Sequence, residues 1–511
     1  MTPPISLVAF LPLLGALLTL VLPTGKARTI RLVSIGASAA TFLLALTYLG
    51  AFDGSSGRLE FEEAHAWIPS LGIRFHVGLD GLSLFLFLLT AFVTPLAMAA
   101  STRSVHDRHK EFAAYFLALE SGMLLLFAAA DVFLFYVAWE LVLVPMFLLI
   151  GVWGGEKRHY ATLKFFLFTM AGSLPMLLAV VTLLFLRRGE EPSAATFDFS
   201  DLAALAIDPG TRRLLFLAFF VSFAVKVPLF PLHTWLPWAH TEAPTAGSVV
   251  LAGVLLKLGG YGFLRISLPL FPGESAAAAP YVFGLALAGI VGSALAALVQ
   301  SDLKKLVAYS SVSHMGLVVL GIFSLNGPGI AGALYLMLAH GLTTGALFVL
   351  VGMLYDRRHT REIGDLGGIA RSMPLFSAAF VFVSLGSIGL PGLCGFVGEF
   401  LCLAGAFLAS KWVAGVAVLG VVLSAWYLLR AAGGALFGPL EKEENRALGD
   451  VDAREAAVLA PFLVLILVLG FAAKPVLSRI EPAVAVLLEG MREGARAGAP
   501  AAAEPGAPVK K

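Results

Sequence analysis

Apolar runs of about 20 residues follow one another along almost the whole chain, separated by short polar breaks. They fall at approximately 5–22, 30–49, 79–100, 112–129, 131–152, 160–187, 213–238, 245–266, 280–300, 303–324, 328–354, 375–410, 412–437 and 453–474. A helix rises 1.5 Å per residue, so each run is close to the ~20 residues that span a hydrocarbon core. The pattern predicts an all-α polytopic membrane protein with about fourteen transmembrane helices in a lipid bilayer. Pro228 and Pro231 interrupt the seventh run, and the segment Gly389-Leu390-Pro391-Gly392 interrupts the twelfth. Proline removes a backbone donor, and broken backbone at membrane depth is tolerated only where protein or a hydrated cavity satisfies it. Both helices are expected to be discontinuous. Residues 50–78 and 188–212 read as the longer loops, and the Ala/Gly/Pro-rich tail 495–511 reads as disordered. The run from Ile5 lacks a basic leader and an A-x-A cleavage site, so it is expected to be retained as the first helix.

Basic residues set an orientation. Loops after odd-numbered helices hold Lys26, Arg28, Arg103, Arg108, Lys110, Lys157, Arg158, Lys304, Lys305, Arg357, Arg358 and Arg361. Loops after even-numbered helices hold fewer, among them Arg58, Arg74, Arg187, Arg188, Arg212 and Lys411. By the positive-inside rule the odd loops are cytoplasmic and both termini lie outside. The two proline breaks are five helices apart, an odd offset, which suggests two halves of opposite orientation around a transport site.

Composition narrows the function. The 511 residues are 59% hydrophobic and 13% charged, with a mean hydropathy of +0.90. A net charge of +2 and scattered basic residues give no nucleic-acid footprint. Cys394 and Cys402 form no C-x-x-C pair, disulfide framework or iron–sulfur site. There is no Walker A loop, dinucleotide fingerprint or zinc helix, so no cofactor or metal is expected in this chain.

The chemistry lies in charged residues inside apolar runs. These are Glu140, Lys226, Lys257, His340 and Glu399, with Glu120 and His314 as further candidates. A lysine at the middle of a membrane helix costs roughly 2.5–3.5 kcal/mol or more, so its default reading is an ion or proton pathway. A lysine whose partner carboxylate approaches or recedes is switched between holding and releasing a proton. A Glu–Lys pair can also be a structural clamp between helices. His233 and His240, seven apart, lack a third metal ligand and read as hydrogen-bonding groups beside the break. Lys304 and Lys305 read as an interfacial anchor, and Phe133, Phe135, Tyr136 and Trp139 as packing or lipid-facing residues.

Several segments carry a resemblance: VGLDGLSL (77–84), FYVAWELVLVPMFLLIGVWGG (135–155), VKVPLFPLHTWLPWAHTEAPTAGSVVLAGVLLKLGGYG (225–262), QSDLKKLVAYSSVSHMG (300–316) and LPGLCGFVGEF (390–400). Over about residues 1–475 the chain resembles the antiporter-like subunits of respiratory complex I. The resemblance implies two inverted five-helix repeats, helices 4–8 over 112–266 and helices 9–13 over 280–437, with helices 7 and 12 broken. Helices 1–3 would fill 1–111 and helix 14 would fill 453–474. It also implies a proton relay through Glu140, Lys226, Lys257, His314, His340 and Glu399. NADH, FMN, iron–sulfur clusters and quinone would then belong to partner subunits, and L-like and N-like membrane subunits of a bacterial inner-membrane complex would be neighbours. Relatives of the L and N types, and Mrp antiporter subunits, usually carry lysine at the helix-12 position. Glu399, and the short stretch after Lys474, are more similar to the M-type branch. A cation/proton antiporter subunit of Mrp type, or a membrane-bound hydrogenase subunit, is the alternative reading.

Overall fold

A computed structural model describes residues 2–190 and 197–497. In chain order the helices begin with α1 (Ile5–Val21) and α2 (Ala27–Ala51), followed by strands β1 (Glu60–Ile68) and β2 (Ile73–Leu79). Then come α3 (Leu84–Ala100), α4 (His109–Ala128), α5 (Val132–Trp153), α6 (Arg158–Glu190) and the short α7 (Phe199–Ala203). The seventh apolar run is split into α8 (Pro209–Lys226) and α9 (Trp235–Glu242). One continuous element follows, made of α10 (Thr245–Val250), α11 (Leu256–Gly262) and α12 (Leu268–Leu270) joined by wider π-helical turns at 251–255 and 263–267. Next are α13 (Pro272–Leu298), α14 (Leu303–Phe323) and α15 (Gly327–Arg358). The twelfth run is again two helices, α16 (Pro374–Ser387) and α17 (Cys394–Ala409). The chain closes with α18 (Lys411–Ala432), α19 (Glu443–Arg446), α20 (Ala453–Phe471) and α21 (Lys474–Ala497). Among the described residues, ten helices are long and apolar enough to cross a membrane, and four shorter apolar helices accompany them.

Burial sorts these helices. The most apolar windows of α14 and α15 are 94% and 100% buried, and the 245–270 element is 94% buried. The corresponding windows of α13, α18 and α20 are only 39%, 33% and 28% buried, and present side chains such as Tyr281, Trp412, Trp426 and Phe471 outward. In a bilayer such outward apolar faces meet lipid or neighbouring chains at no hydrophobic cost. The interior trio therefore has room for polar residues that face protein on every side. Lys257, His314 and His340 lie on those three elements.

Both breaks close in the same way. The Leu229 N–H donates to the Ala224 carbonyl, and the Leu390 N–H donates to the Leu385 carbonyl, each reaching back five residues. At the first break the Trp235 indole N–H donates to the Val225 carbonyl at 3.0 Å, satisfying a group that the prolines leave without a helical donor. At the second, Gly389 at φ +73° makes a turn that suits a residue without a Cβ.

Two regions differ from the sequence reading. The stretch 50–78 contains the antiparallel hairpin β1–β2 rather than plain loop. It is tied down because the Ala130 N–H donates to the His76 carbonyl, and the His76 ring lies 3.0 Å from both Asp198 and Glu62, with Arg74 also paired to Asp198. Within 188–212, helix α6 continues through Glu190 and α7 adds a short turn, while 191–196 lie outside the described residues. The tail expected to be disordered lies outside them from 498 onward. Just before it, α21 buries Val476, Ile480, Ala483, Leu487 and Met491, spaced three to four apart, and turns its charged side chains outward. Its mean hydropathy is too low for a span, so its single apolar face had no signature as a membrane run.

The ends of α15 and α20 are latched together. Arg357 grips Glu455 with two parallel bonds of 2.7 and 2.6 Å, and Glu455 is 3% exposed. Asp452 and Glu455 complete a reciprocal cap at the start of α20. Nearby, the bond from Lys442 holds the Asp365 carboxyl below its usual range.

Candidate functional site

The site is a row of buried polar side chains across the middle of the bundle. Its best connected part starts at Lys257, which is fully buried on α11. The π-helical turn just before it widens the backbone and frees a carbonyl, and the Lys257 ammonium donates to that of Ala252. The same nitrogen lies 2.7 Å from Nδ1 of His340 on α15. This contact depends on close helix packing: a Cβ on Gly341 would crowd the Gly253 carbonyl and Leu89. Small residues at such a crossing let the backbones approach and bring Lys257 to His340.

From His340 the row continues to His314 on α14, with ring centroids 5.6 Å apart. Nδ1 of His314 lies 3.3 Å from Oε1 of Glu399 on α17, and both residues are under a tenth exposed. Lys257, His340, His314 and Glu399 therefore connect α11, α15, α14 and α17. Each imidazole carries two nitrogens, and a proton taken up at one can be released from the other. The Nε2 atoms of both rings find no hydrogen-bond partner among the described residues.

The other expected pair is looser. Glu140 on α5 is half-buried at the flank of the bundle, with Tyr136 one turn before it. Lys226, the last residue of α8, is 3% exposed, and its ammonium lies 5.2 Å from the centre of the Trp139 ring. Among the described residues no ion pair joins Glu140 to Lys226, although the two interact electrostatically. Trp139 is thus more than a packing residue, because its face holds the lysine charge. Nor does a hydrogen bond join Lys226 to Lys257 among the described residues. The helices themselves do meet, since a Cβ on Gly259 would press on the Phe223 carbonyl and Val227. Glu120 is fully buried on α4, apart from the row, and interacts with Ser38 on α2.

A family model described as NADH:quinone oxidoreductase/Mrp antiporter, TM, matches residues 129–424. The chain belongs to this antiporter-like family. It is 46% identical over 495 residues to NADH-quinone oxidoreductase subunit M of Rhodobacter capsulatus, covering 95% of this chain and 96% of the relative. It is 43% identical to NADH-ubiquinone oxidoreductase chain 4 of Marchantia polymorpha, over 90% and 92% of the two chains. A chain of respiratory complex I from Thermus thermophilus with bound NADH superposes with a TM-score of 0.84 at 35% identity, covering 94% of this chain and 99% of that one.

Two residues of this antiporter-family chain, read from sequence as an interfacial anchor and a hydrogen-bonding group, lie beside the site. Lys304 is buried, 7% exposed, and donates to the Ala243 carbonyl at 2.5 Å. It is no interfacial anchor. His240, fully buried, stacks flat on Phe348 at 4.6 Å, and neither ring nitrogen is hydrogen-bonded among the described residues. It interacts electrostatically with both Lys304 and Lys257. Lys304 in turn borders a cavity of about 560 Å³ among the basic-rich loops, bounded by Glu242, Asp302, Asp356 and Arg361. His240 thus feels the charge of Lys304, on the cavity side, and of Lys257, in the row. Among the described residues no group of three His, Cys, Asp or Glu side chains is placed to hold a metal ion.

Proposed function

We propose that the chain is a proton-translocating membrane subunit of an NADH–quinone oxidoreductase, and that its protons move along the buried row. The observation that carries this reading is the buried series Lys257, His340, His314, Glu399, with contacts of 2.7 Å and 3.3 Å at its ends and the two imidazoles 5.6 Å apart between them. Four titratable groups in a dry interior are costly unless they face partners, and their use is to change charge in turn. A proton on the Lys257 ammonium passes to Nδ1 of His340 along their hydrogen bond. Release from Nε2 of His340 toward His314 carries it to the Glu399 carboxylate. Lys226, on the face of Trp139, and Glu140, at the flank, extend the row toward the neighbouring subunit on that side. The 560 Å³ cavity, Lys304 and His240 supply Lys257 from the cytoplasm.

In this reading the chain is a multi-pass subunit of a bacterial inner membrane, with about fourteen crossings and both termini outside. The sequence lacks the motifs of a redox cofactor. NADH, FMN, iron–sulfur clusters and quinone belong to partner subunits, and L-like and N-like chains flank this one. Quinone reduction elsewhere drives the row through charge changes passed between subunits. The test is NADH-driven acidification of vesicles carrying the assembled complex. Acidification independent of sodium and lost in Glu399→Gln supports the reading. A sodium requirement without NADH dependence would move the chain to the antiporter alternative.

A further inference from the structure

Beyond Lys257 the same face of its helix carries Tyr261, one turn on, and Arg265, two turns on. Lys257 and Tyr261 are fully buried. At 1.5 Å per residue, Arg265 stands about 12 Å along the axis from the lysine. It is on the hairpin side of the bundle, because it meets Asp80, the residue that follows β2. In the proposed orientation that side faces out. The row thus has a second way out of the protein, and a guanidinium stands in it.

Arg265 is pinned from three directions. A terminal nitrogen pairs with Oδ1 of Asp80 at 2.7 Å, and the two side chains are 12% and 6% exposed. Its Nε–H donates to the Tyr261 hydroxyl at 2.9 Å, and the guanidinium lies 5.2 Å and 5.9 Å from the centres of the Tyr261 and Phe199 rings. Asp80 is fixed in turn, since its Oδ1 also accepts from the Leu82 and Ser83 N–H groups before α3. The Tyr261 hydroxyl is engaged at both ends: it donates to the Phe127 carbonyl at 3.0 Å and accepts from Arg265. A chain of proton hops needs each member to take a proton on a lone pair and give another up. A guanidinium has five N–H donors and no lone pair, and it stays charged at every working pH. Such a fixed cation also repels protons, as arginines in selective pores do.

We infer that Arg265 is the outward stop of the row: it keeps protons from passing between Lys257 and the outer surface by way of Tyr261, and Asp80 and Tyr261 position it. A proton on Lys257 then has one onward partner, His340. The inference rests on the proposed relay through Lys257.

The test is the passive collapse of an imposed pH gradient across vesicles carrying the assembled complex, without NADH. Arg265→His puts at the stop an imidazole that takes a proton at one nitrogen and releases one from the other, with the Asp80 carboxylate beside it as acceptor. The collapse is expected to run about tenfold faster than with the native complex, the factor that a unit charge about 12 Å away supplies at an effective dielectric of about 20. Arg265→Lys keeps the charge and its pairing with Asp80, and stays tight. Adding Lys257→Met to Arg265→His abolishes the leak, because the leak runs through the row. A leak that survives Lys257→Met is a packing defect and overturns the inference. So does a tight, assembled Arg265→His complex. If Arg265→His fails to assemble, Arg265→Gln frees the Asp80 carboxylate as an acceptor and leaks in the same way. Failure of both to assemble marks a structural clamp and overturns the inference. Lys257→Met alone separates the two claims. A native ratio of protons to NADH in that variant removes the relay and the stop together, whereas a lowered ratio beside a tight Arg265→His complex removes the stop alone.

Discussion

The ammonium nitrogen of Lys257 lies 2.7 Å from Nδ1 of His340, and no carboxylate is within ion-pair distance of that lysine among the described residues. A buried lysine held by an imidazole and a backbone carbonyl can lose its proton without leaving an unpaired anion behind. Removing the imidazole should therefore slow transfer more than it disturbs folding. His340→Ala is expected to lower proton translocation by about 100-fold or more, the usual scale for losing a positioned acid–base group. Assembly, read on a native gel, should be unchanged.

The cradle of Lys226 predicts a graded effect. Trp139→Phe keeps an aromatic face beneath the ammonium, whereas Trp139→Leu removes it, and such contacts are worth about 0.5–2 kcal/mol. NADH-linked pumping should fall in the order native, Phe, Leu, with assembly intact throughout. Lys226→Ala and Glu140→Gln should each reduce pumping sharply. Lost assembly in both would mark the pair as a structural clamp instead.

At the far end of the row, His314 fixes the sign of charge that Glu399 must carry. A lysine there would set an ammonium where the His314 ring, 3.3 Å from Glu399 Oε1, now meets a carboxylate, and a proton arriving on that ring would face a like charge. Glu399→Lys should impair proton movement per NADH far more than Glu399→Asp, measured against the amount of assembled complex. Equal activity of the two would mean that the charge sign at this position has no part in the mechanism.

The Arg357–Glu455 latch has a structural role, and its loss should look different. Removing the carboxylate leaves the half-buried Arg357 with backbone carbonyls alone, and hydrogen bonds to a charged group are worth about 1.5–3 kcal/mol. Glu455→Ala should reduce the amount of assembled complex and its thermal midpoint. The complex that does assemble should pump normally for each NADH oxidised.

Much of the row was legible in the sequence because a charge inside an apolar run is costly and conspicuous. Lys226, Lys257, His340 and Glu399 announced themselves this way, and the prolines marked both breaks. What escaped was whatever depends on neighbours brought in by packing. His240 lies beyond the first break, and Lys304 stands at the start of α14, where a lysine ordinarily reaches the interface. Only the folded chain buries them and brings His240 within electrostatic reach of Lys304 and Lys257. The same limit explains Glu140 and Lys226, whose types suggested an ion pair while the structure turns the lysine onto Trp139. The hairpin was hidden because Glu60–Ile68 mixes acidic and apolar residues with no clear alternation.

The side of the membrane is open to a direct check. The positive-inside rule predicts His106 and His359 in the cytoplasm and Ser200 outside, and all three positions are exposed. The native Cys394 and Cys402 are buried, so single cysteines at those positions are the ones expected to react with an impermeant reagent. Labelling His106→Cys and His359→Cys from the cytoplasmic face only, and Ser200→Cys from the outer face only, is the expected result. Reversal at two of the three would overturn the orientation.

The central claim is that protons pass through the buried row, and Lys257 tests it best because its ammonium meets His340 at the head of the row. The most direct measurement is the number of protons moved per NADH oxidised by the reconstituted complex carrying Lys257→Met, a variant that keeps the length of the side chain and removes its titrating nitrogen. The account predicts an assembled complex that still passes electrons from NADH to an artificial acceptor at the native rate, with a markedly lower proton ratio. An assembled Lys257→Met complex with the native proton ratio would contradict it.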